Sequence, residues 1–125
     1  MSLILGLFHL ANGLWMLTAP HGWYMIVPGV STTGPLNHHF ISDVALAFVA
    51  SGAGFIWRAR PGSAAYTIAG AAWPALHALL HIWGWIAGGF PTTAPVALSE
   101  AVGVVGIGLL GAIVASLRAK QEGMV

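Results

Sequence analysis

Four stretches of the chain, roughly residues 2–19, 38–57, 63–87 and 95–117, are almost wholly apolar, and between them they hold two acidic residues and no basic one. Each offers about the 20 residues that a helix needs to cross the hydrocarbon core of a bilayer. Pro, Gly and charged residues punctuate them. The first ends at Ala19-Pro20, the second at Trp57-Arg58-Ala59-Arg60-Pro61-Gly62 and the third at Gly88-Gly89, while the fourth begins after Pro95 and stops at Arg118. Almost nothing is left for a soluble domain. The expected fold is therefore a single all-α integral membrane domain over residues 1–125, a four-transmembrane-helix antiparallel bundle. Composition excludes the soluble alternative: 58% of residues are hydrophobic and 6% charged, against about a quarter charged in a soluble domain. Three Asp and Glu with four Lys and Arg cannot cover the surface of 125 residues, so the outward face must meet lipid.

The absence of Cys excludes disulfides, iron–sulfur clusters and thiolate metal sites. A formal net charge of +1 argues against nucleic acid as a partner. The 17 Gly are residues that transmembrane helices use to approach one another closely. In the fourth stretch Gly103, Gly106, Gly108 and Gly111 serve packing within the chain, or association as a homo-oligomer or with a larger membrane complex.

Charge sets the orientation. Arg58, Arg60, Arg118 and Lys120 all fall between the second and third stretches or just after the fourth, which is one side of the membrane in a four-span arrangement. The positive-inside rule then places both termini in the cytoplasm. Trp15, Trp23, Trp83 and Trp85 fall near the outer boundary and Trp57 near the inner one, as interfacial belts do. The first stretch lacks a basic leader and contains His9 and Asn12, so it reads as a retained helix rather than a signal peptide. On the outer side, residues 20–37 form a longer connection with turns at Pro28-Gly29 and Gly34-Pro35. Its apolar run from Trp23 to Val27 suits an interfacial anchor, or a lid over a site beneath.

Ionisable groups at membrane depth are costly and usually face the bundle interior. Here they share a height. At about 1.5 Å per helical residue, Asp43, His81 and Glu100 lie about 8 Å below the outer surface, with His77 and His9 near 15 Å. His39 and Asp43 are four residues apart, as are His77 and His81, and His9 and Asn12 are three apart, so each pair shares a helix face. Continuing those faces inward meets Ala47, Ala50 and Gly54, then Gly70 and Pro74, then Gly103. The polar side of each helix is thus expected to be its contact side.

Imidazoles and carboxylates projecting inward from several helices are how helix bundles build metal sites. The expected ligands of a transition metal, Cu, Zn or Fe, are His39, Asp43, His77, His81 and Glu100, with His9, Asn12 and His38 in a second tier. His38, beside His39 in sequence, points elsewhere on the helix. If the protein is an enzyme, Asp43 or Glu100 is the candidate acid/base of metal-dependent redox chemistry or water activation on a small or lipidic substrate. If it is not, it binds metal without catalysis, or it is an accessory subunit whose buried His, Asp and Glu only hydrogen-bond between helices. A b-type haem would require axial His from opposite sides, so His39 or His9 would have to face His77 or His81.

The run Leu5-Gly6-Leu7 through Asn12-Gly13-Leu14-Trp15-Met16-Leu17-Thr18-Ala19-Pro20, with Trp23-Tyr24 after it, resembles the first span of small bacterial four-helix membrane proteins of the DoxX-like type. The resemblance covers about the first quarter of the chain. It implies four helices in a bacterial inner membrane and assigns no functional residues.

Overall fold

A computed structural model describes residues 1–57, 62 and 64–124. The described residues are helical, with no strand among them. Helix α1 spans Ser2–Thr18 and α2 Pro20–Ile26; a 3-10 turn follows at Val30–Thr32; α3 runs His38–Ile56 and α4 Ala64–Gly88. The last helical segment is continuous, built from α5 (Ala94–Leu98), a π-helical stretch (Ser99–Gly106) and α6 (Ile107–Gln121). Arg58 and Arg60, two of the four basic residues that set the expected orientation, lie outside the described residues.

Local chemistry explains the boundaries. Pro20 has no N–H to continue the hydrogen-bond ladder of α1 but suits the first turn of a new helix, and α2 leaves α1 at a bend of 115°. Asn37 caps α3, its Oδ1 accepting the N–H of Phe40 at 3.0 Å. At the end of α4, Gly89 takes φ of 92° while its N–H bonds the carbonyl of Trp85, a left-handed stop that favours glycine.

Packing follows chain order: α1 lies antiparallel on α3, α3 on α4, and α4 on α6. Backbones touch at glycines. A Cβ on Gly52 would stand 2.8 Å from the Leu10 nitrogen, and one on Gly54 would stand 2.7 Å from the Gly70 Cα. Gly108 lies against the Pro74 carbonyl, and Gly111 faces the Phe55 ring. Buried Leu5, Phe55, Ala71 and Ala115 form one apolar centre; Met16, Ile41 and Ala45 form a second near α2.

Two of these helices, His38–Ile56 and Ala94–Gln121, are long and apolar enough to cross a membrane, and α1 with α2 makes a third if the bent pair is one span. Helix α4 has the length but carries two His, three Trp and a Pro, which lower its hydropathy. Large apolar side chains face outward from every long helix, among them Ile4, Leu46, Leu76, Ile86, Leu98 and Ile113.

Candidate functional site

A cavity of about 650 Å³ lies between the second half of α1, the α2 connection, the first half of α3, the second half of α4 and the π stretch. Helices α3 and α4 are in backbone contact at Gly54 and Gly70. One or two turns away, Phe48 stands edge-on to Trp73 with ring centres 4.7 Å apart. Past that prop, Phe40, Ile41 and Val44 on α3 and His77, Leu80 and His81 on α4 line opposite sides of the cavity.

The α2 connection roofs it. Trp23 Nε1 donates to Asn12 Oδ1 at 3.1 Å, and the Tyr24 hydroxyl donates to the Gly34 carbonyl at 2.7 Å, closing the connection on itself. Gly29, at φ of 89°, brings the backbone close to Val96 of α5. Of the two readings of residues 20–37, this geometry favours a cover over a site, since Trp23, Tyr24, Val27 and Val30 all line the cavity.

One wall is polar. Trp73, His77, His81 and Trp85 recur every fourth residue and form a single stripe on α4. Trp73 and His77 are stacked, with centres 4.9 Å apart and planes 11° apart, and His77 meets His81 edge-on at 4.8 Å. Glu100 faces them from the π stretch. Its Oε2 accepts Trp85 Nε1 at 2.7 Å and lies 3.3 Å from His81 Nδ1. A π turn carries an extra residue relative to an α turn and is found mostly at functional sites; here it carries Ser99, Glu100, Gly103 and Val104, all of which line the cavity. Spacing alone points to His77 and His81. It does not point to Trp85 on the same stripe, because a tryptophan near a span end has the signature of an interfacial anchor, nor to Trp73, a mid-span aromatic that reads as ordinary packing.

The five expected metal ligands are not brought together. His39 Nε2 and Asp43 Oδ2 pair at 3.5 Å, but their side chains are 90% and 59% exposed and neither lines the cavity. Helix α3 buries Ile41 and Ala45 instead, and residues 39 and 41 are about 200° apart around a helix. The expectation that the polar face of α3 is its inward face is therefore corrected. Ala50 on that face is exposed; Gly54 does make the expected contact. On the last segment, a Cβ added at Gly103 would meet no atom within 4 Å, and this residue opens on the cavity, whereas Gly108 and Gly111 pack within the chain.

Of the second tier, His38 is exposed and Asn12 lines the cavity. His9 is 2% exposed among Phe8, Phe48 and Phe55, with Nδ1–H donating to the Leu5 carbonyl at 2.7 Å. It is a core histidine outside the cavity lining, so neither it nor His39 faces His77 or His81 as an axial haem pair would. Among the described residues, no group of three or more His, Cys, Asp or Glu is disposed to hold a metal ion.

No protein-family model matches the chain, and no curated protein or solved structure matches it either.

Proposed function

We propose that the chain is a four-span membrane protein with both termini in the cytoplasm, whose cavity, just beneath the outer face, binds a small amphipathic organic molecule. Two sufficiently apolar helices and outward-facing Leu and Ile side chains on all four long helices support the membrane placement. Arg118 and Lys120 lie at the end of the chain opposite the cavity, which supports the orientation. The observation that carries the functional reading is the contrast inside the cavity: aromatic and aliphatic walls, with polar groups concentrated at His77, His81 and Glu100. A concave, mostly apolar site of about 300 to 1,000 Å³ with a few convergent polar groups is what ligand pockets look like. The guest's apolar body lies against Phe40, Phe48, Val44 and Trp73, and its polar group meets the His/Glu wall.

Bonding between helices alone accounts for less. Trp85 and His81 do tie α4 to the π stretch through Glu100, but His77 makes ring contacts and, among the described residues, no side-chain hydrogen bond, and it lines open space.

The test uses detergent-purified protein and the neutral fluorescent probe N-phenyl-1-naphthylamine, read by energy transfer from tryptophan, since Trp23 and Trp73 line the cavity. Saturable transfer is expected in the natural protein. It is expected to vanish in Gly103→Leu, whose added side chain enters open space. Transfer that survives unchanged in that variant would sink the cavity reading. Elemental analysis of the same sample decides the metal alternative: near-stoichiometric Cu, Zn or Fe that is lost in His77→Ala/His81→Ala would replace the organic guest with an ion.

A further inference from the structure

We infer that the cavity prefers an organic cation, held by Glu100 as counter-charge and by the surrounding aromatic faces; this rests on the ligand-cavity reading above. Among the described residues, Glu100 is the one acidic residue in the cavity lining, and no Lys or Arg is in it. Glu100 is also specifically held. Trp85 Nε1 and His81 Nδ1 both address Oε2, which fixes the carboxylate, while Oε1 takes no hydrogen bond from the described residues. A carboxylate facing a mostly apolar chamber is better satisfied with a cation beside it.

The walls supply the rest of a cation site. Trp23, Tyr24, Phe40, Phe48 and Trp73 line the same space, and a cation over an exposed aromatic face is attracted by the ring's quadrupole, more strongly where water is excluded. An inorganic cation suits the chamber poorly. Hard cations take six or more oxygen ligands, and beyond Glu100 the side-chain oxygens of the lining are limited to Asn12, Tyr24, Thr33, Asn37 and Ser99, of which Asn12 Oδ1 and Asn37 Oδ1 already accept hydrogen bonds and the Tyr24 hydroxyl is donated to backbone. A quaternary ammonium or a delocalised aromatic cation asks for one carboxylate and several ring faces. Those are the groups present.

The experiment compares three probes of one shape as competitors of N-phenyl-1-naphthylamine: 2-naphthyltrimethylammonium, its neutral isostere 2-tert-butylnaphthalene, and 2-naphthalenesulfonate. In the natural protein the cation is expected to displace the fluorophore at least about tenfold more effectively than the isostere, a difference of about 1.4 kcal/mol, and the sulfonate to be the weakest. In Glu100→Gln, whose amide oxygen can still accept from Trp85, the cation's advantage over the isostere is expected to disappear, with thermal unfolding in the same detergent reporting that the variant is folded. Equal displacement by cation and isostere, a preference for the sulfonate, or an advantage retained in Glu100→Gln would each overturn the cation assignment while leaving the cavity in place. Failure of the fluorophore to bind the natural protein would overturn both.

Discussion

Glu122 Oε2 accepts the backbone N–H of Ala64 at 2.9 Å, so a side chain from the last turn of the chain caps the first residue of a helix that begins 58 positions earlier. The first four N–H groups of a helix have no partner within it, and the helix dipole favours a negative charge beside them. Arg118 Nη2, 3.6 Å from Glu122 Oε1, steadies the carboxylate. Of the three acids in the protein, this one closes a helix end, whereas Glu100 lines the cavity.

Glu122→Ala is accordingly expected to destabilise the protein by about 0.5–2 kcal/mol, the usual loss on removing a cap, and Glu122→Gln by less, because an amide oxygen can still accept. Thermal unfolding of the purified variants in one detergent measures both. Probe binding should be unchanged below the unfolding transition.

The α3–α4 contact depends on glycine at two facing positions. A Cβ on Gly70 would lie 2.8 Å from the Ser51 carbonyl oxygen and 2.9 Å from the Phe55 nitrogen, both backbone atoms that cannot step aside. Gly70→Val is expected to cost about 1–3 kcal/mol or more through overpacking, seen as a lower unfolding temperature and poor monodispersity. Gly84→Ala, in the same helix with nothing within 4 Å, should be neutral or stabilising by up to about 1 kcal/mol, since alanine is the better helix former.

The roof of the cavity hangs on the bond from Trp23 Nε1 to Asn12 Oδ1. Trp23→Phe removes it, and a bond of this kind contributes about 0.5–1.5 kcal/mol. Dissociation of N-phenyl-1-naphthylamine, followed by stopped flow with direct excitation of the probe, is expected to quicken by about two- to tenfold. An unchanged rate would show that the α2 connection does not hold the guest.

His39→Ala and Asp43→Ala should shift stability by no more than about 0.5 kcal/mol, as surface substitutions generally do, and should leave probe binding as it was. Loss of binding in either variant would return these residues to the site from which the rotation of α3 removes them.

The natural chain has no Cys, which makes orientation directly measurable. Thr32→Cys, in the α2 connection, is expected to react with a membrane-impermeant maleimide added outside intact spheroplasts. Gln121→Cys is expected to react only after permeabilisation. The reverse pattern would invert the proposed orientation.

The linear order of residues was enough to say that this chain is helical, where its four long helical segments begin and end to within about four residues, and that His77 and His81 share a face, though not that Pro20–Ile26 is a helix or that Ser99–Gly106 is π-helical; runs of apolar residues, prolines and glycines act locally, and local signals survive without a fold. Which way α3 turns was beyond it. The pair His39 and Asp43 satisfies the same four-residue spacing as His77 and His81, yet one pair faces out and the other lines a cavity, because the rotation of a helix is decided by what it packs against. On α3 the close seats at Ile41, Ala45 and Gly52 against α1, and at Gly54 against Gly70, outweigh any preference of an interfacial His/Asp pair. The cavity is tertiary in the same sense: it exists because Phe48 and Trp73, 25 positions apart, hold α3 and α4 apart just beyond the point where two glycines draw them together.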